Sequence, residues 1–205
     1  MRKYNAIDLG LPSGLKWADR NVGAEKETDY GLYFQWGDAV GYADASHSTW
    51  ETCPGNGGNS SYNAKSIDAW DAENLKSVTG MEYSPKILKP EVDSVTVNMG
   101  SKWRMPTIKN CLELVENTNY EVTDIDGVKG GKFINKTDAS KYIFIPFAGG
   151  SVEHSFESQG VGCAIWSSSV HPCSPEVAYG MGANESAYGG FTVARFRALS
   201  VRGVC

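Results

Sequence analysis

Long apolar runs, paired cysteines and clustered positive charge are all missing from this chain of 205 residues. No stretch of 18 apolar residues occurs, so no membrane-spanning helix is expected. The opening residues Met1–Asp8 contain no apolar core region, so the sequence given is expected to carry no signal peptide. Assembly in the cytoplasm and prior removal of a leader both remain open. The five cysteines, Cys53, Cys111, Cys163, Cys173 and Cys205, are odd in number and show no CxxC spacing. That argues against a zinc site and against a complete disulfide framework. A single disulfide stays open beside the simpler reading of free thiols. Lys and Arg are scattered singly in a chain of net charge −5, which argues against a nucleic-acid partner. The three histidines, His47, His154 and His171, are never spaced as HxxxH, and no GxSxG elbow is present.

What is present suits a globular, loop-rich, β-containing chain. Hydrophobic residues make up 41% and charged residues 21%, which excludes a disordered protein. The 23 glycines supply turns, and the 6 tryptophans and 10 tyrosines favour strands.

Residues 4–9 and 15–18 read as short strands about the turn Leu11-Pro12-Ser13-Gly14, and 32–36 as a third strand. Residues 44–66 form a polar insertion centred on Pro54-Gly55-Asn56-Gly57-Gly58, and loops this long tend to be functional or mobile. Residues 67–77 are expected to form a short helix. The step from Val92 to Val95 fits a helical turn better than a strand, although periodicity alone leaves both open. Thr107 is placed to cap a helix through Ile108, Cys111, Leu112, Leu114 and Val115, ending near Asn117. Residues 119–125 and 128–135 flank Asp126-Gly127, a hairpin signal. Strands follow at Tyr142–Pro146 and near 163–168, 176–181, 191–196 and 199–204. The pattern is one α+β domain over residues 1–205, with helices in the first half and an antiparallel sheet in the second.

Several stretches, in order, resemble a large bacterial family with a C-type lectin-like fold. They are Ala6-Ile7-Asp8-Leu9-Gly10-Leu11-Pro12-Ser13-Gly14-Leu15-Lys16-Trp17-Ala18, Asn21-Val22-Gly23-Ala24 and Tyr33-Phe34-Gln35-Trp36-Gly37. Pro90-Glu91-Val92-Asp93, Asn98-Met99-Gly100 and Trp103-Arg104-Met105-Pro106-Thr107 continue the match. Phe144–Gly150, Trp166-Ser167-Ser168-Ser169, Ala178-Tyr179 and Ser200-Val201-Arg202 complete it. The C-terminal part resembles the variable proteins of diversity-generating retroelements, in which copying errors at adenines randomise ligand-contacting positions on a fixed scaffold. The resemblance implies an antiparallel sheet with two or more helices and long irregular loops. It also implies a non-enzymatic receptor or adhesin on a phage tail or a bacterial cell surface. Its partner would be a protein or glycan on a target cell, without membrane insertion, and an oligomer is compatible with it. A non-diversified structural or adhesion module of the same fold is the alternative.

The residues themselves agree with a split between anchors and display within the variable region, about 166–204. Trp166, Ala178, Tyr179, Val201 and Val204 read as core, and Arg202 as a donor to backbone or carboxylate groups at the sheet end. Trp103, Trp166, Tyr179 and Arg202 are the expected scaffold anchors. Between them His171, Cys173, Gly180, Gly182, Tyr188, Phe191, Phe196 and Arg197 follow no packing pattern and are the expected ligand-binding, variable positions.

Other chemistry is weaker. His154 beside Glu153 and Glu157 suggests a minor metal or acid/base site. Ser167-Ser168-Ser169 lacks the surroundings of a nucleophile. Formylglycine-generating enzymes share the broad fold and use a cysteine pair, but Cys163 and Cys173 come with no other part of such a site. Calcium-dependent lectins use Glu-Pro-Asn or Gln-Pro-Asp with Trp-Asn-Asp, and these motifs do not occur. The fold therefore does not license sugar binding. No cofactor is expected. A structural calcium ion near Asp124, Asp126 and Gly127 stays open, with the hairpin as the simpler explanation.

Overall fold

The computed structural model describes residues 3–53, the backbone of the strands within 67–86, and residues 87–172, 174 and 176–205. It is a mixed α+β fold dominated by strands, with two helices among the described residues.

Strands β1 (Ala6–Asp8) and β2 (Lys16–Ala18) pair antiparallel. The turn between them is closed by Gly14 N–H donating to Leu11 O at 2.8 Å. Gly14 has φ +73°, the left-handed region that a glycine enters at little cost. On its other side β2 receives the C-terminal residues: Lys16 N–H donates to Cys205 O at 3.0 Å and Ala18 N–H to Gly203 O at 2.8 Å. Strand β3 (Tyr33–Gln35) is buried throughout.

Among the described residues, the helix expected over residues 67–77 is not found. Strand β4 (Ile67–Trp70) and the short β5 (Leu75–Lys76) stand there instead, followed by β6 (Glu82–Tyr83) and β7 (Lys86–Leu88). Strand β4 pairs with β7 antiparallel, Ile67 opposite Leu88 and Trp70 opposite Lys86. Pairing with a distant segment overrides the weak helical preference of the local sequence. The centre of the polar insertion, Pro54–Ser66, lies outside the described residues.

Helix α1 (Ser94–Met99) settles the Val92–Val97 ambiguity in favour of helix. Its cap, Asp93, accepts from Val95 N–H and Thr96 N–H, each at 2.9 Å, and from Met105 N–H at 2.9 Å. Helix α2 (Ile108–Asn117) begins where expected. Thr107 and Asn110 form a reciprocal capping box, and Ile108, Cys111 and Leu114 face the core. Strands β8 (Thr118–Ile125) and β9 (Val128–Asn135) form the expected hairpin. Asp126 and Gly127 take φ +52° and +79°, as a two-residue turn of this hand requires. Strand β10 (Tyr142–Pro146) completes this three-stranded sheet.

The remaining strands are β11 (Gly150–Val152), β12 (Ser155–Glu157), β13 (Gly162–Val170), β14 (Val177–Asn184), β15 (Tyr188–Ala194) and β16 (Ala198–Ser200). They form the spine of a nine-stranded sheet in the order β12-β11-β16-β13-β14-β15, with β3, β7 and β4 attached to it. Only the β13–β16 contact within it is parallel.

Alternating residues of the sheet feed two cores. Phe34, Trp36, Met105, Trp166, Leu199 and Val201 belong to the first. Helix α2 and the β8–β9 hairpin pack over the second, which holds Ile108, Leu114, Phe133, Ile165, Met181 and Val204. Trp103, Trp166 and Arg202 are buried. Arg202 donates to Asn21 Oδ1 at 2.9 Å and to Phe144 O at 2.9 Å, tying both ends of the chain to β10. Tyr179, also expected in the core, is only half-buried at the margin of the second core.

Candidate binding cleft

The strand register builds a cleft from small residues. Ala164 of β13 lies opposite Gly182 of β14, and Gly182 lies opposite Gly189 of β15. Cross-strand partners share a face, so this row crosses three strands with nothing larger than a methyl group. The adjacent row on the same face is Trp166, Gly180 and Phe191. A bare row beside an aromatic row makes a trough. Glycine within a strand commonly marks a close approach of another group to the backbone.

Phe191 lies over the glycines of β14. A Cβ on Gly180 would stand 3.0 Å from Phe191 Cζ and 2.7 Å from Ile165 O, and one on Gly182 would stand 3.3 Å from the same ring. Gly150 and Leu199 close the trough on the β16 side, and Glu157 and Arg197 stand at its rim as an ion pair. The cleft encloses about 510 Å³. That volume falls within the range of small-ligand sites, roughly 300–1,000 Å³. It offers backbone, an aromatic wall, and one anionic and one cationic group at the edge.

Of the expected variable residues, Gly182, Tyr188, Phe191 and Arg197 line this cleft. Gly180 is not a contact residue: it is buried, and its role is to leave room for the Phe191 ring. His171 and Phe196 stand apart from the cleft. His171 packs on Tyr179 with centroids 5.5 Å apart, and Phe196 packs on Trp50 at 4.8 Å. Cys173 lies outside the described residues. Gly189, Ala164 and Gly150 were not singled out from sequence as cleft residues, and Glu157 was noted only beside Glu153 and His154. The Gly189-Gly190 pair within a strand pattern was the available signal; nothing local tied Glu157 to this cleft, because its partner Arg197 is forty residues away.

The competing chemistries find structural explanations. Ser167 Oγ donates to Tyr179 O at 2.8 Å, Ser168 Oγ donates to Pro106 O at 3.3 Å, and Ser169 Oγ accepts from Ile108 N–H at 3.1 Å. These hydroxyls tie β13 to its neighbours. Burial pushes the thiols of Cys111 and Cys163 up to about 12, far from a reactive thiolate. Asp124 Oδ1 accepts from Gly127 N–H at 2.8 Å, so it serves the hairpin turn. His154 sits in the tight turn between β11 and β12 with φ +64°. Among the described residues no group of three or more His, Cys, Asp or Glu side chains is placed to hold a metal ion.

Compared with protein-family models, curated proteins and solved structures, the chain matches none.

Proposed function

We propose that this chain is a non-enzymatic ligand-binding protein with a C-type lectin-like fold, a variable protein of a diversity-generating retroelement. It would act as a receptor or adhesin on a phage tail or bacterial cell surface, binding a protein or glycan of a target cell. The observation that carries the reading is the convergence of Gly182, Tyr188, Phe191 and Arg197, residues set apart by their lack of packing logic, on one cleft. Two helices beside a large, mainly antiparallel sheet support the fold assignment. A cleft floored by backbone and walled by an aromatic ring changes specificity through side-chain replacement at little cost to the scaffold.

The non-diversified adhesion module draws support from His171 and Phe196, which pack against the protein's own Tyr179 and Trp50. Profiling on glycan and cell-surface-protein arrays tests the binding role. Exchanging Tyr188 or Arg197 should change the bound set while the chain stays folded, at a stability cost of no more than about 1 kcal/mol. An unchanged profile after both exchanges would remove the cleft from the account.

A further inference from the structure

Strand β15 is the last strand of the nine-stranded sheet and, among the described residues, pairs with β14 alone. The phase of that ladder is fixed at both ends. Asn184 N–H donates to Ala187 O at 2.8 Å, and Arg195 N–H donates to Glu176 O at 2.9 Å. Residues 189, 191 and 193 therefore turn their backbone groups toward β14, and 188, 190, 192 and 194 turn theirs outward. Tyr188, Gly190 and Thr192 are exposed. Ala194 O accepts from Arg197 N–H at 3.1 Å, and no described residue bonds the other outward groups.

Exposed edges are usually blunted by charge, proline or shortness. Strand β12, at the opposite end of the sheet order, has three residues and ends on Glu157. Strand β8, at the edge of the three-stranded sheet, carries Glu121 and Asp124, and β10 ends in Pro146. Strand β15 reads Tyr-Gly-Gly-Phe-Thr-Val-Ala, seven residues with no such protection.

We propose that β15 pairs antiparallel with β15 of a second copy of this chain, joining the two sheets across a twofold axis at Phe191. In this register, Tyr188 lies opposite Ala194 of the second copy and Gly190 opposite Thr192. On the other face Gly189 lies opposite Val193, and the two Phe191 rings face each other. Each bulky side chain meets a small one, and at the single like pair each Phe191 ring leans back over its own β14 glycines, which leaves room for the second strand. Sliding by two residues leaves outward groups unmatched at one end. The symmetric register forms about six new backbone hydrogen bonds. A foreign strand would match the backbone equally well, but this self-matching of size favours a second copy.

Analytical ultracentrifugation of the full chain tests the proposal, with two variants. The wild type should sediment at twice the 22.2 kDa chain mass. Thr192→Pro removes one outward N–H and no bond to β14, so it should give a folded monomer. Phe191→Cys, oxidised, should give a crosslink between the two Cys introduced at position 191, identified by mass spectrometry. It needs only that the fold persist, so it decides the matter if Thr192→Pro misfolds. A wild type that stays monomeric up to millimolar concentration overturns the proposal. So does a dimer that lacks the 191–191 crosslink, or one that persists in folded Thr192→Pro.

Discussion

Replacing an anchor and a displayed residue by alanine should have very different costs. Trp166 is fully buried, and its Nε1–H donates to Phe34 O at 2.7 Å. Trp166→Ala loses a large apolar surface and leaves a cavity, about 3–5 kcal/mol. It also removes the buried hydrogen bond to Phe34 O, adding about 1 kcal/mol. Tyr188 is 43% exposed, and its ring rests 4.3 Å from that of Tyr120 and 6.3 Å from that of Phe133. Tyr188→Ala removes aromatic contacts but opens no internal cavity, at a cost of about 1 kcal/mol. Urea unfolding with an unchanged denaturant slope reads both values. The gap should be about 3 kcal/mol or more. Equal costs for the two variants would refute the division of the C-terminal region into anchors and displayed positions.

Gly180→Ala should destabilise by about 1–3 kcal/mol, because the new methyl meets Ile165 O and the Phe191 ring; Gly182→Ala, facing only looser contacts, should cost less than about 1 kcal/mol in the same titration. Asp93→Ala should cost about 2–4 kcal/mol, from the lost helix cap and the unpartnered Met105 N–H. Burial holds the Asp93 carboxyl above its ordinary value of 3.8, so the native state binds the proton more tightly than the unfolded chain. Its contribution to stability is then fullest below that ordinary value and declines as pH rises through the raised one. A stability-versus-pH series on the wild type and Asp93→Asn should show this component of the slope only in the former. Thiol labelling at pH 8 should modify Cys205, which is half-exposed, and spare Cys111 and Cys163 until the protein unfolds.

Local signals carried much of the fold. The Thr107 cap with its apolar spacing placed α2, and Asp126-Gly127 placed the β8–β9 hairpin. Where structure depends on distant partners, local reading failed: β4 exists because it pairs with β7, and no short window reveals that. The cleft was legible in the same partial way. Phe191, Tyr188 and Arg197 stood out by residue type, whereas the Ala164–Gly182–Gly189 row is a product of register across three strands. Gly180 was misread because an absent side chain looks the same whether it makes room for a ligand or for Phe191. Tyr179 was over-read as core for a related reason: an aromatic residue on a strand fits a buried position and a margin equally well.

The central claim is that Gly182, Tyr188, Phe191 and Arg197 vary on a scaffold that does not. Sequencing the coding locus in independent isolates tests it directly. The account predicts an imperfect repeat of the gene's 3′ end beside a reverse transcriptase gene. The two copies should differ at adenines, with changes concentrated in the codons of the cleft residues and absent from those of Trp166 and Arg202. A locus with no such repeat, and with substitutions spread evenly over anchors and cleft, would contradict it.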